Sequence, residues 1–153
     1  MALLVGAIRA SAWYLPDLAL VADPPGDPGR PIIGHVMISA TELITEDDGL
    51  PVPILMLSPL GVLPAFQRQG IGAALNRAVL ALADARREPL VVVQGHPDYY
   101  PRFGFIRGRE LGVLPPEHLG AIDKAWMARR RPGATEEPRG RVVYPPAFLE
   151  LDS

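Results

Sequence analysis

Two glycines, Gly70 and Gly72, stand where an apolar segment ends and a helical pattern begins. The stretch from Pro64 to Leu75 reads PAFQRQGIGAAL. The first turn of a helix leaves several backbone N–H groups without intrahelical partners, and the helix dipole adds about half a positive charge there. Glycine costs about 1 kcal/mol relative to alanine in a helix, but it leaves room for a bulky anion at those N–H groups. The pattern therefore predicts a phosphate site, to which Arg68 can add a direct contact.

Two common phosphate-binding loops do not fit this stretch. A dinucleotide-binding fingerprint requires a third small residue where Leu75 stands, and a P-loop requires Gly-Lys-Ser or Gly-Lys-Thr, which the chain lacks. A second explanation of the glycines is structural, because small residues let a helix pack closely on a strand. The hexapeptide by itself leaves that alternative open.

The spacing of Gln67, Gly70 and Gly72 resembles the Gln/Arg-x-x-Gly-x-Gly/Ala signature of the GNAT superfamily of N-acetyltransferases. In that family the loop holds the pyrophosphate of acetyl-CoA, so the resemblance implies acetyl-CoA as co-substrate. The cofactor-binding residues that it implies in the loop are Gln67, Arg68, Gln69, Gly70, Ile71, Gly72 and Ala73.

A second motif, YYPRFGF, resembles a later motif of the same family, in which a tyrosine stands four residues before a Gly-Phe pair. Tyr100 has that position before Gly104. The resemblance implies that Tyr100 gives its proton to the departing CoA thiolate. It covers about residues 18–105 and is closest to a branch of small bacterial predicted acetyltransferases.

The strand before the loop also has an implied role. In the family, backbone groups of a splayed strand bind the oxyanion and the pantetheine arm, and here they correspond to Leu60, Gly61 and Val62. Pro59 and Gly61 suit such a splay, because Pro and Gly within a strand usually mark a bulge or a close backbone approach. An edge irregularity without a ligand is the alternative.

The elements that must position these residues follow from periodicity. A helix is predicted after the glycines because apolar residues recur there at helical spacing: Ile71, Ala74, Leu75, Ala78, Val79 and Leu82. Glu88-Pro89 ends it, and Leu90 to Val93 is typical of a buried strand. A strand, a helix and a strand in this order favour parallel pairing.

Further strands and a helix complete the predicted fold. The helix is expected near the N-terminus, and the strands at 18–22, 32–45, 52–64, 125–128 and 141–144. With the resemblance, they predict one α/β domain over residues 1–153. Its sheet is mixed and mostly antiparallel, with a splayed parallel strand pair and flanking helices.

The composition limits the partners. The 153 residues carry a net charge of -2, which gives no basic surface for nucleic acid, and no stretch approaches the roughly 20 apolar residues of a membrane span. The absence of cysteine fits a reducing compartment, so we expect a cytoplasmic protein. No metal-ligand spacing occurs, and we expect no metal.

The N-terminal part departs from the family pattern. Only 17 residues precede the strand predicted at 18–22, where the family has a strand and one or two helices. We therefore expect the family's first strand to be absent. An uncovered strand edge invites pairing, so residues 1–14 or a partner subunit should cover it, and a homodimer is expected.

The implied reaction needs a free amine and a base. We expect direct attack of a primary amine, of a small molecule or a protein, on acetyl-CoA in a ternary complex. A lysine-like amine costs roughly 4.6 kcal/mol to deprotonate at pH 7, so a base or a water relay is needed. His35 is the first candidate because histidine titrates near neutrality, and Glu42 is the second. A non-catalytic acyl-CoA-binding module and a purely structural domain are the alternatives.

Overall fold

The computed structural model describes residues 14–22, 32–120 and 122–144, and in these ranges one eight-stranded sheet carries one α-helix. The helix predicted within residues 1–13 lies outside the described residues. The elements are β1 Ala19–Ala22, β2 Gly34–Thr45, β3 Pro51–Val62, α1 Ile71–Asp84, β4 Leu90–Gln94, β5 Ile106–Arg107, β6 Val113–Leu114, β7 Trp126–Arg130 and β8 Gly140–Val143.

The sheet is mixed and mostly antiparallel, as predicted. Its order is β5-β7-β4-β3-β2-β8-β6, and β1 pairs with β2 beside β8. Two pairs are parallel, β3 with β4 and β6 with β8, and the others are antiparallel. Among the described strands, β1 pairs with β2 alone. The cover expected from residues 1–14 lies almost entirely outside the described part of the chain.

The parallel pair separates towards its carboxyl end. β3 and β4 are in register only at Leu55 with Val91 and at Met56 with Val92. Beyond these pairs β3 continues to Val62 while pairing only with β2. Its register with β2 shifts opposite Met37, where the bulge contains Pro59, a residue that cannot donate a ladder hydrogen bond. The splay predicted from Pro59 and Gly61 thus coincides with a bulge in β3 at Pro59.

Both faces of the central strands are buried, which explains their continuous apolar sequence. Val91 and Val93 lie on the face covered by α1, and Leu90 and Val92 lie on the opposite face. The helix contributes its own apolar residues to the first cluster, at Leu75, Val79, Leu80 and Ala83. The helix thereby fixes the loop that precedes it against the end of β3.

An ion pair ties the end of α1 to the far strand β7. The guanidinium of Arg129 donates from Nη1 and Nη2 to the two carboxylate oxygens of Asp84 at 2.7 and 2.9 Å. Its Nε donates to the carbonyl oxygen of Phe103 at 2.9 Å. One half-buried side chain thus connects the helix, the sheet and the turn that ends at Phe103.

Arg129→Leu should lower the free energy of unfolding by about 2 kcal/mol, because a charged hydrogen-bonded group loses its partner while Asp84 stays partly buried. Arg129→Lys keeps the charge but cannot form the two-pronged contact, so it should recover less than half of the loss. Urea denaturation measures both. Equal stability of the parent and the leucine variant would contradict this assignment.

Candidate functional site

The loop between β3 and α1 owes its shape to one glycine. Gly70 precedes the helix with φ of +83°, a left-handed conformation that side chains disfavour, whereas a Cβ there would meet nothing within 4 Å. The backbone conformation, rather than lack of space, therefore requires this glycine. Arg68 also has a positive φ, of +64°. The Gln67 side-chain amide closes the loop by donating to the Val62 carbonyl at 3.0 Å.

Gly72 has a different role. A Cβ at this position would lie 3.4 Å from the Tyr99 hydroxyl oxygen and 3.7 Å from Cγ2 of Val62, which are ordinary contact distances. The protein's own packing therefore tolerates a methyl group at position 72. A larger side chain would project into the space next to the first turn of α1, where the unpaired N–H groups lie.

A cavity of about 470 Å³ lies beside this loop. It brings together eight of the ten predicted binding residues: Gly61, Val62, Gln67, Arg68, Gly70, Ile71, Gly72 and Ala73. Among the described side chains, Gln69 is not a lining residue of the cavity. Leu60 pairs with Val36 through the backbone, and the exposed Gln69 donates from its amide to the Ala65 carbonyl at 3.4 Å.

Positive charge dominates the cavity. Arg68 and Arg102 line it, together with the first turn of α1, while the lining residues within the described ranges include no aspartate or glutamate. Within the residues that the structure describes, neither arginine forms an ion pair with a carboxylate. Two guanidinium groups and a helix N-terminus without counter-charges attract an anion such as a phosphate ester.

Three lining residues of the cavity were not predicted from the sequence: Phe66, Tyr99 and Arg102. The guanidinium of Arg102 lies 4.7 Å from the centre of the Tyr99 ring, and its Nε donates to the Tyr99 carbonyl at 2.9 Å. They meet because a 3-10 turn spans Tyr100–Phe103, and residues three apart lie on the same side of such a turn. The sequence signals for this turn are Pro101 near its start and Gly104, which ends it with a φ of +92°.

Tyr100 lies in the core and not among the lining residues of the cavity. Its ring is 8% exposed and packs near Phe105, with a ring centroid distance of 5.7 Å. It also lies against Gly95, where a Cβ would come within 2.3 Å of Tyr100 Cε2, directly after β4. Burial, with a smaller contribution from Tyr99, raises the pKa of Tyr100 to about 12. The assignment of Tyr100 as proton donor stays a prediction.

The raised pKa of Tyr100 predicts a loss of stability in alkali. Above pH 10 the unfolded chain releases a proton that the folded protein keeps up to about pH 12, so the stabilisation is complete below pH 10 and is lost between these values. The parent should therefore lose more stability from pH 8 to pH 11 than Tyr100→Phe does. Urea denaturation at both pH values measures the difference. Tyr99→Phe, which retains Tyr100, should behave like the parent.

The two candidate bases lie on β2. His35 pairs with Gly61 across the strands and is half-buried, while Glu42 pairs with Pro53 near the other end of β2. Neither is a lining residue of the cavity. His35 thus neighbours the wall of the cavity through its strand partner Gly61, and Glu42 does not.

A curated relative matches part of the chain. The chain is 33% identical over 103 residues to the uncharacterized N-acetyltransferase YjhQ of Escherichia coli K12. These 103 residues make up 67% of the chain. The chain spans about half of that relative, 53% of its length. No family model matches the chain.

Solved structures extend the likeness over nearly the whole chain. One is the GNAT family N-acetyltransferase YhbS of Escherichia coli in complex with CoA, which matches with a TM-score of 0.79. The match covers 95% of this chain and 76% of YhbS, and at 24% sequence identity it shows a shared fold. A GNAT family acetyltransferase of Brucella melitensis, in complex with acetyl-CoA, is 28% identical over 95% of the chain and 75% of its own, with a TM-score of 0.69. The chain belongs to the GNAT superfamily.

GNAT membership confirms the resemblance drawn from the two sequence motifs. The loop motif supplies lining residues of the cavity in this GNAT chain, and the second motif supplies two more, Tyr99 and Arg102. The splayed pair and the mixed sheet agree with the fold expected for the superfamily.

No helix in the described ranges is long and apolar enough to cross a membrane. Within the same ranges, no group of three or more His, Cys, Asp or Glu side chains is placed to hold a metal ion.

Proposed function

We propose that this chain moves an acetyl group from acetyl-CoA to a primary amine of a small molecule or a protein. The observation that carries the proposal is the cavity at the start of α1, where two guanidinium groups and unpaired helix N–H groups meet without a carboxylate in the described lining. This chemistry suits the phosphates of acetyl-CoA, and the loop leaves room for them beside Gly70, where a Cβ would meet nothing within 4 Å.

The residues that would hold acetyl-CoA lie on both sides of the cavity. Backbone N–H groups at residues 70–73 face the pyrophosphate in this proposal, and Arg68 and Arg102 add charged contacts. Gly61 and Val62, on the part of β3 that is free of β4, offer backbone groups to the pantetheine arm and the thioester. Leu60 extends the same strand segment.

In the proposed reaction the amine nitrogen forms a bond to the thioester carbonyl carbon, and the carbon–sulfur bond breaks. The amine releases a proton, and the thiolate takes one up. The chain has no cysteine that could form an acyl intermediate, which favours direct attack in a ternary complex. His35 is proposed to accept the amine proton, directly or through water, and Glu42 is the second candidate.

Tyr100 is proposed to donate the proton to the thiolate. Its position beside Gly95 places it directly after β4, where β3 and β4 have separated. The high pKa of Tyr100 keeps its proton in place at neutral pH, although it also makes the phenol a weaker acid.

The test begins with binding and then measures turnover. Calorimetry should detect a complex with acetyl-CoA, and a thiol assay with a panel of primary amines should detect release of CoA that depends on the amine. Binding without turnover for any amine would favour the non-catalytic acyl-CoA-binding module. A chain that does not bind acetyl-CoA would refute both functions.

The homodimer and the cytoplasmic location belong to this proposal as well. The homodimer rests on β1, whose outer side has no partner strand among the described residues. Light scattering of the full chain tests it, and a monomer would contradict it. The cytoplasmic location rests on the absence of cysteine.

A further inference from the structure

Asn76 is a buried polar residue on the apolar side of α1. Its exposed fraction is 0%, and it lies among the buried helix residues Leu75, Val79 and Leu80. Its Nδ2 donates to the Tyr99 hydroxyl oxygen at 3.2 Å, whereas its Oδ1 has no hydrogen-bond partner in the described structure. A buried amide with an unpaired oxygen disfavours folding, and an apolar residue would fill the position better. Stability therefore does not explain this asparagine.

The contact with Asn76 fixes the direction of the Tyr99 proton. A hydroxyl group has one proton to donate and two lone pairs that accept. Because Nδ2 of Asn76 occupies a lone pair of the Tyr99 oxygen, the hydroxyl proton must point elsewhere. The same oxygen lies 3.4 Å from the position that a Cβ of Gly72 would take, at the first turn of α1. Tyr99 lines the cavity, so a ligand oxygen there can accept this proton.

The Tyr99 ring is held on several sides. It makes edge contacts with Tyr100 and Phe103, at centroid distances of 5.0 and 5.3 Å. The guanidinium of Arg102 lies over the ring at 4.7 Å. These contacts limit rotation of the side chain, so the position of the hydroxyl group is set before a ligand arrives.

We propose that Asn76 is a positioning residue that turns the Tyr99 hydroxyl proton into the cavity, where Tyr99 donates it to a phosphate oxygen of the CoA moiety. Together with Arg102, Tyr99 then forms the wall that faces the 68–73 loop across the phosphates. The inference rests on the proposed function, since it concerns the ligand of the same cavity.

The experiment measures the affinity for CoA in the parent, Tyr99→Phe, Asn76→Leu and the double variant. Tyr99→Phe should weaken CoA binding by about tenfold or more, as expected for loss of a hydrogen bond to a charged group. Asn76→Leu should weaken it by a smaller factor, because the hydroxyl group remains but is no longer oriented. The double variant should bind no more weakly than Tyr99→Phe alone, because both changes act on the same hydrogen bond. Pantetheine, which lacks the phosphates that Tyr99 contacts, should bind all four proteins alike in an NMR titration.

The outcomes separate a positioning role from a structural one. Asn76→Leu should melt at the same or a higher temperature than the parent, whereas a structural role predicts a lower one. Unchanged CoA affinity of Tyr99→Phe, additive losses in the double variant, or an equal loss for pantetheine would each overturn the inference. Tyr99→Phe keeps the ring contacts, so the test does not depend on the folding of Asn76→Leu. Failure of the parent to bind CoA would refute the proposed function instead.

Discussion

Gly72→Glu is expected to weaken acetyl-CoA binding by about a hundredfold or more. The new carboxylate would occupy the space beside the first turn of α1 and bring negative charge to the place proposed for the pyrophosphate. Like charges brought together in a binding site cost several kcal/mol, and each 1.4 kcal/mol is about a factor of ten in affinity. Calorimetry on the folded variant measures the effect.

The matched control for this change is Gly72→Ala. Its methyl group would make only ordinary contacts with Tyr99 and Val62, so the fold should tolerate it, and the affinity should fall far less than for the glutamate. Acetyl-CoA affinity of the glutamate variant equal to that of the parent would remove the phosphate site from the 68–73 loop.

Tyr100→Phe should lower kcat by roughly 10²- to 10⁴-fold, the usual contribution of a general acid, while the dissociation constant for acetyl-CoA stays within a few-fold. The physical reason is that the departing thiolate loses its proton donor, whereas the phenyl ring keeps its packing against Phe105. Steady-state kinetics and calorimetry measure the two quantities.

Tyr99→Phe is the neighbouring control, and it should act chiefly on the affinity for CoA and much less on kcat. Of the two adjacent tyrosines, substitution of Tyr100 should therefore lower kcat, whereas substitution of Tyr99 should weaken CoA binding. A Tyr100→Phe variant that turns over at the parent rate, with chemistry shown to be rate-limiting, would assign protonation of the thiolate to water or to another side chain. Weakened folding without a change in kcat would make Tyr100 a core residue only.

The loop and the helix could be predicted from the sequence because local rules determine them. Gly70 must adopt a positive φ where the helix begins, and the residues after it repeat at helical spacing on one face. The strand pair around α1 followed from a buried apolar run at 90–93 and from the connection through one helix. The loop and the helix depend on local sequence, and the pairing of the two strands follows from the single helix that connects them.

The positions of the two tyrosines could not be predicted in the same way. Which of Tyr99 and Tyr100 faces the cavity depends on the 3-10 turn and on Gly95, whose missing side chain admits the Tyr100 ring. Arg102 reaches the cavity only because that turn places it beside Tyr99. The two-residue strands β5 and β6 exist through pairing with β7 and β8, which periodicity cannot detect in so short a segment.

The contacts along α1 also bear on the rate of ligand association. Near its beginning the helix holds Tyr99 through Asn76, in its second turn Arg77 lies over the Phe103 ring, and at its end Asp84 joins Arg129, which donates to the Phe103 carbonyl. The helix and the turn at 99–103 are thus joined along their length, so the two walls of the cavity cannot close on a ligand independently. If acetyl-CoA binds here as proposed, we expect association without a slow rearrangement of these walls, at a rate set by diffusion, orientation and the attraction of the two arginines for phosphate.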